Sequence, residues 1–299
     1  MHGTSRGSLR FIGQSQYTSS DDTKPPALIV DTLKIDKVLL PTYNLQLVEK
    51  YIVSNMTCMR VHHSAAAPEK SKCFHYLVEV VSRLPPENIT YLADTYIRPE
   101  AATLDEMRNK EIMIDALGAT ASETSQTLLT ELVLNAKQRN ASLIMRTMVH
   151  FVKLKTPPPE VFVDALEELA TYGKVQFPDP EDTWLVHNRA VLVLGCVARD
   201  LKNSKKQEER KRGYAILRKL EDTLEVHDPW HHRQIRSTMS EDEYHEHITW
   251  KATLMQSLGN AASPSSYHHI LSYINNSDSH PMLRRSGIHA ISKYKISEV

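Results

Sequence analysis

"LGATASETSQTLLTEL" (Leu117–Leu132) and "LGNAASPSSYHHILSY" (Leu258–Tyr273) are two stretches of this chain with one pattern. In each, the Leu-Gly pair predicts the end of a helix, with glycine in the left-handed position that closes many helices. Ser122 and Ser263 are predicted to cap the helix that follows, because a serine hydroxyl accepts an orphan amide of the first turn. Each stretch is therefore predicted to form a corner between two helices. The identical positions are Leu117/Leu258, Gly118/Gly259, Ala121/Ala262, Ser122/Ser263 and Ser125/Ser266.

The sequence around these corners is helical in pattern. From about Tyr43 to Tyr294, apolar residues recur at helical spacing and predict eleven or twelve helices joined by short linkers. Leu194-Gly195 lies in the apolar run "AVLVLGCVA", which predicts a helix covered on both sides. Helix pairs that bury their apolar faces against neighbouring pairs form an α-solenoid, so the predicted fold class is all-α. Helix starts are predicted at three capping boxes, Thr103–Glu106, Ser204–Gln207 and Ser240–Glu243.

Residues 1–42 differ from the rest of the chain. The segments "SLRFIGQSQY" and "ALIVDTLKI" have strand-like composition, and the polar, proline-bearing "TSSDDTKPP" separates them. We therefore predict a short β-like or irregular N-terminal segment, followed by a helical domain over residues 43–299.

Composition excludes several classes of protein. Lys plus Arg and Asp plus Glu both number 36, which argues against a nucleic-acid binder that neutralises phosphates. The basic run "SKKQEERKRGY" contains interleaved glutamates and predicts the solvated face of a helix. The first thirty residues lack the pattern of a signal peptide, and no run approaches the roughly 18 apolar residues of a transmembrane helix.

No catalytic, cofactor-binding or metal site is predicted. The sequence has no phosphate-binding glycine loop, no nucleophile elbow and no Cys/His spacing of a structural zinc site. A cluster of histidines has two interpretations, ordinary polar residues or a zinc site. We favour ordinary polar residues, because His245 and His247 are two apart on a predicted helix and point in different directions. The cluster comprises His227, His231, His232, His245 and His247.

The cysteines and the glycosylation sequons bear on the cellular compartment. Cys58 and Cys73 flank a loop-like stretch, and a bridge between them would contribute about 3 kcal/mol; two free thiols are the alternative, and the spacing does not decide. Cys196 lies in an apolar run and is predicted to be buried. Four asparagines are N-glycosylation candidates if the chain enters the secretory pathway: Asn55, Asn88, Asn140 and Asn275.

The segment "WKATLMQSLGNAASPSSYHHILSYINNSDSHPMLRRSGIHAISKY" resembles a signature of the large lipid transfer proteins. This family includes vitellogenin, apolipoprotein B, the large subunit of microsomal triglyceride transfer protein and apolipophorin. A lysine and leucines precede a Leu-Gly-Asn-Ala element, and an arginine and aliphatic motif follows. The matching residues are Lys251, Leu254, Leu258, Gly259, Asn260 and Ala261, then Arg284 or Arg285, Ile288, Ala290 and Ile291.

Two earlier segments extend the resemblance. Met113, Asp115, Ala116 and Leu117, followed by "GATASETS", are similar to a helix pair of the family, although the usual Gly-Thr is displaced or lost. The stretch "FHYLVEVVSRLPPENITYL" is similar to another family element with its arginine changed. The resemblance thus covers Phe74–Tyr294.

The resemblance implies a horseshoe of two helical layers around a lipid cavity, with cavity sheets further along the chain and a β-barrel before it. Residues 1–42 would be the remnant of that barrel and its linker, and the helical domain would be truncated at its C-terminus. The sequence would then be a fragment or an incomplete gene model, and a short intracellular relative is the alternative.

The implied function is lipid transport or yolk storage, without catalysis. Phospholipid and neutral lipid would be cargo rather than cofactors, and a homodimer or a partner subunit is compatible with the family. The protein would be secreted or reside in the lumen of the endoplasmic reticulum. The alternative function is an intracellular scaffold of the HEAT or armadillo kind that binds protein partners. The lipid-transport hypothesis predicts a disulfide and occupied sequons, whereas the scaffold hypothesis predicts free thiols and bare asparagines.

Overall fold

A computed structural model describes residues 45–61, 68–134, 140–151, 158–171, 175–225 and 239–294, all within the compact unit Asn44–Val299. These residues contain twelve α-helices and no β-strand. The prediction of an all-α fold is confirmed. The predictions for residues 1–42 and for three histidines of the cluster, His227, His231 and His232, lie outside the described residues.

The twelve helices alternate between two layers. The odd-numbered helices are α1 (Leu45–Val61), α3 (Pro86–Tyr96), α5 (Glu123–Leu134), α7 (Glu160–Leu169), α9 (Gln207–Glu225) and α11 (Pro264–Asn275). The even-numbered helices are α2 (Pro68–Ser82), α4 (Leu104–Thr120), α6 (Ala141–Phe151), α8 (Pro180–Lys202), α10 (Glu241–Ala261) and α12 (Pro281–Ile291).

Packing between helices defines these layers. The even-numbered helices pack side by side in chain order, from α2 against α4 to α10 against α12, and form the even layer. In the odd layer α3 packs against α5, α5 against α7 and α9 against α11, while α1 packs on α2. Because the helices from α2 onward cover neighbours in their own layer and in the other layer, the array is solenoid-like, as the sequence pattern predicted.

Helix α8 occupies the centre of the array. It contacts α6 and α10 in the even layer and α7 and α9 in the odd layer. Gly195 and Cys196 lie among its buried residues, as the apolar run around them predicted. Nearby, the stacked rings of Phe151 and Phe162, with centroids 3.6 Å apart, join α6 to α7 across the layers.

Two of the three predicted capping boxes are present. Thr103 accepts the amide of Glu106 at 3.2 Å, and Ser240 accepts the amide of Glu243 at 3.3 Å, each with the reciprocal bond from the glutamate. The third prediction is wrong, because α9 begins at Gln207 itself. The Ser204 hydroxyl instead accepts the amide of Lys206 at 3.1 Å and bonds to Glu209.

The two corners form where they were predicted, but their glycines have another role. Gly118 and Gly259 lie inside α4 and α10, and the left-handed residues are Ala121 (φ 50°) and Ala262 (φ 45°). The prediction of a glycine helix end is therefore wrong. Ser122 caps α5 by accepting the Ser125 amide at 3.2 Å, as predicted. Ser263 is the N-cap residue of α11, but its hydroxyl makes no capping bond and lies 3.1 Å from the Ser265 hydroxyl, so the predicted cap is wrong there. Leu117 and Leu258 are fully buried.

Close approach between helices explains the glycines. A Cβ at Gly259 would lie 2.7 Å from the Cα of Ala290, so glycine lets α10 and α12 come into backbone contact. A Cβ at Gly118 would lie 2.1 Å from the His150 ring of α6. The Leu-Gly pair thus marks the point where neighbouring helices of the even layer touch, three residues before each left-handed corner.

Candidate functional site

A groove of about 710 Å³ separates α7 from α9 in the odd layer. Its floor is apolar and belongs to the even layer, with Val191 and Leu194 from α8 and Trp250 and Leu254 from α10. Val191, Leu194 and Leu254 are buried, so little apolar surface reaches solvent at the bottom of the groove. The groove is concave, and its charged side chains lie at its rim.

The rim carries acidic and basic side chains, and four of them meet across it. Asp164 and Glu167 project from α7, and Arg212 and Lys219 project from α9. Arg212 Nη2 lies 2.5 Å from Asp164 Oδ1 and 3.3 Å from Glu167 Oε2, and Lys219 Nζ lies 3.0 Å from the same Glu167 oxygen. We call these four side chains the clasp, because they connect α7 and α9 across the groove.

Two threonines that line the groove and a histidine beside it are bonded within the fold. Thr171 and Thr223 donate to carbonyl oxygens one turn earlier in the chain, at 2.8 and 2.6 Å. His187 stacks on Trp250 with ring centroids 4.3 Å apart, and its Nδ1 lies 3.2 Å from the Leu169 carbonyl oxygen. Burial lowers the pKa of His187, so the ring is held neutral as a packing group.

A second polar cluster lies between α4 and α6 and includes the family-motif residue Asp115. Arg146 binds both carboxylate oxygens of Asp115, at 2.8 and 2.6 Å, and also reaches Glu111 at 3.0 Å. His150 Nε2 lies 3.0 Å from Asp115 Oδ1. Burial raises the pKa of Asp115, but the hydrogen bonds from His150 and Arg146 outweigh it and hold the pKa below its usual value. The cluster fixes the spacing of two helices in the even layer.

The structure joins Cys58 of α1 to Cys73 of α2 in a disulfide, with the two Cα atoms 6.4 Å apart. The spacing left a disulfide and two free thiols as alternatives. At this distance the disulfide forms without movement of either helix, which favours the bridge. Cys196 is buried and unbridged. The bridge connects an odd-layer helix to an even-layer helix at the first described pair of the array.

The four sequons differ in exposure. Asn140 and Asn275 are exposed, whereas Asn55 and Asn88 are half-buried. The Asn55 amide donates to the Tyr51 carbonyl oxygen at 2.9 Å, which uses one of its two N–H groups. Asn140 accepts the Ser142 amide through its oxygen at 2.9 Å, and its nitrogen donates to the Met107 sulfur at 4.0 Å. Glycosylation stays a prediction, with Asn140 and Asn275 as its best-placed sites.

The histidine hypothesis finds no support where the structure can test it. His245 and His247 lie on α10, and within the described ranges no group of three His, Cys, Asp or Glu side chains is placed to hold a metal ion. The clasp and the Arg146 cluster were not predicted as sites, because both join residues on different helices. The sequence shows only that these helices carry charged residues, and it does not show which of those residues meet.

Comparison with known families connects this architecture to one group of proteins. Residues 48–298 match the model of the family described as the vitellogenin TPR domain. The chain belongs to this family. The match runs from α1 to beyond α12, so both layers of this vitellogenin TPR domain are included, and the predicted resemblance to the helical region of the large lipid transfer proteins is confirmed.

Other comparisons add little to this assignment. Neither the curated proteins nor the solved structures gave a match to this vitellogenin TPR domain. None of the helices that the structure describes combines the length and apolar character needed to cross a membrane.

Proposed function

We propose that this vitellogenin TPR domain is the helical scaffold of a lipid-transport protein of the lipoprotein or yolk type. The observation that carries the proposal is the family match over residues 48–298, which spans the whole two-layer array. In this proposal the array supports a lipid cavity formed by other parts of the protein. Phospholipid and neutral lipid are its cargo, and the domain itself catalyses no reaction.

The disulfide supports a place in the secretory pathway. Disulfides persist in oxidising compartments and are rare in cytosolic proteins, so the Cys58–Cys73 bridge fits secretion or the lumen of the endoplasmic reticulum. The exposure of Asn140 and Asn275 is compatible with glycans at those positions. The alternative function is an intracellular protein-binding scaffold, and the groove between α7 and α9 favours it, because a concave surface with a charged rim suits a peptide.

Purification of the protein from its own cells separates the two functions. With thiols blocked at lysis, we expect phospholipid and neutral lipid to co-purify in mass spectrometry of an organic extract. We also expect a mobility change on reduction and a mass loss after endoglycosidase treatment. A lipid-free protein with reduced Cys58 and Cys73 and unmodified asparagines would instead support the intracellular scaffold.

The groove is the place where we expect the array to change shape as lipid load changes. Neighbouring odd-layer helices from α3 to α7 pack directly, but charged side chains span the groove between α7 and α9. Exposed ion pairs contribute only about 0–1 kcal/mol each, and salt screens them. The clasp can therefore open at small cost while the even layer stays intact.

The Arg212→Ala variant tests whether α7 and α9 part at the groove, a movement that we call the hinge. We expect a small stability loss, about 1 kcal/mol or less, together with faster amide hydrogen exchange in α7 and the first turns of α9. Lys211→Ala is the matched control, because its amine bonds to Glu208 of the same helix at 2.8 Å. Equal exchange in α7 for both variants, at low and at high salt, would contradict the hinge.

A further inference from the structure

A second pocket, of about 340 Å³, lies where the end of α8 meets the corner between α10 and α11. It is several times larger than the ~30 Å³ that one water molecule occupies in the liquid. Arg199 and Lys202 reach it from α8, and Lys293 reaches it from the residues after α12. Three of its described lining residues are thus cations, and none of them is a carboxylate.

The neighbouring backbone and one asparagine hold two of these cations in place. Lys293 Nζ lies 2.5 Å from Asn260 Oδ1, and the amide of the same asparagine donates to the Leu192 carbonyl oxygen at 3.1 Å. Asn260 is therefore fixed on both sides and orients the lysine. Lys202 Nζ lies 3.5 and 3.4 Å from the carbonyl oxygens of Ala261 and Ala262, at the end of α10.

The bonds around Lys293 orient its charge without neutralising it. Asn260 is a neutral acceptor, and among the described residues the groups that shift the pKa of Lys293 include no carboxylate. Burial lowers that pKa, the neighbouring Cys196 raises it and the charge of Arg199 lowers it. Arg199 itself bonds to Asp200 through Nε at 3.1 Å, which uses one of its five donors. An anion between Arg199 and Lys293 would relieve their repulsion.

The start of α11 adds little attraction for an anion, because the Glu221 carboxylate of α9 already accepts from the hydroxyls of Ser265 and Ser266 there, at 2.7 and 2.6 Å. Pro264, the first residue of α11, lines the pocket, and the positive end of the helix dipole lies there. Within the described residues, the Ser263 hydroxyl contacts the Ser265 hydroxyl instead of capping the first turn. Proline has no backbone N–H, and the Ser266 amide donates to the Ser263 carbonyl oxygen at 3.0 Å. The attraction for an anion therefore comes from the three cationic side chains that line the pocket.

We propose that this pocket binds a phosphate group, carried by a phospholipid headgroup or by a soluble phosphate. Arg199 offers a planar guanidinium that suits phosphate oxygens, and Lys202 and Lys293 add point charges. The Asn203 side chain lies at the rim as a further donor. The proposal rests on the charges of the pocket itself and does not depend on the lipid-transport function.

Thermal unfolding of the full chain tests the phosphate site. We expect inorganic phosphate, compared with chloride at equal ionic strength, to raise the Tm in a saturable manner, because a ligand that binds only the folded state stabilises it. In Arg199→Gln and Lys293→Gln the apparent affinity for phosphate should fall about tenfold or more, the loss expected for one charge-assisted contact. Lys211→Gln removes an exposed charge that does not line the pocket and should keep the wild-type response.

Vesicles distinguish the two sources of phosphate. Co-sedimentation with phosphatidylcholine vesicles that contain phosphatidic acid, lost in Lys293→Gln and competed by inorganic phosphate, would identify a headgroup site. A saturable Tm response without vesicle binding would identify a soluble phosphate. The proposal is overturned if phosphate raises the Tm equally in all variants, or if neither probe binds. A lipid-free protein that retains the phosphate response would contradict the proposed transport function and leave this site standing.

Discussion

Replacing Gly195 by alanine is expected to lower the free energy of unfolding by about 3 kcal/mol, the upper end of what overpacking a core usually costs. The added Cβ would lie 2.0 Å from the carbonyl oxygen of Ser257 and 2.7 Å from its carbonyl carbon. Both are backbone atoms of α10, so α8 and α10 must move apart. That movement also strains the buried bond from Ser257 Oγ to the Val191 carbonyl oxygen, now 2.6 Å long.

Gly287→Ala is the matched control for this variant. Gly287 is also a buried helical glycine, but its nearest neighbour is the Ile274 side chain, with Cγ1 2.8 Å from the added Cβ. Ile274 is half-buried and can shift toward solvent, whereas the α10 backbone beside Gly195 cannot, and alanine favours a helix over glycine by about 0.5–1 kcal/mol. We expect urea denaturation followed by circular dichroism to show a change within about 1 kcal/mol for Gly287→Ala. Equal losses in both variants would contradict backbone contact as the role of Gly195.

Contacts of the same kind, of Gly118 with His150 and of Gly259 with Ala290, explain why the sequence predicted the corners but misassigned their glycines. Local capping chemistry involves residues three or four positions apart, so Thr103–Glu106 and Ser240–Glu243 could be predicted from the sequence. The contact of α8 with α10 joins Ser257 to Val191, which are 66 positions apart. No pattern within one helix indicates which backbone will lie against a given glycine.

The charged run before and within α9 shows the same limit. Its interleaved charges predicted a solvated helix face, and two of its ion pairs, Lys206–Glu209 and Lys211–Glu208, do lie along that face. Arg212 instead crosses the groove to Asp164, 48 positions earlier in the chain. The clasp forms because α7 and α9 are successive helices of the odd layer. Helical periodicity predicts each helix but does not predict which helices lie side by side.

Removing the bridge with the Cys58→Ser, Cys73→Ser double variant is expected to cost about 3 kcal/mol under oxidising conditions. The two cysteines are separated by 15 positions, and closing a loop of that size removes about this much conformational free energy from the unfolded chain. Reductant should destabilise the wild type by the same amount and leave the double variant unchanged. A wild type indifferent to reductant would show that the two thiols are not joined in solution.

We also expect the stability lost with the disulfide to be lost mainly in the two helices that it joins, α1 and α2. In an array of stacked helices each unit is stabilised by itself and by its immediate neighbours, so losing one staple weakens the array locally. Hydrogen exchange of the reduced protein should therefore accelerate in α1 and α2, while α8 and α10 keep their protection. Acceleration spread evenly over all helices would instead mean that the array unfolds as one cooperative unit. In that case the clasp could not act as a separate hinge, because α7 and α9 could not part without unfolding the rest.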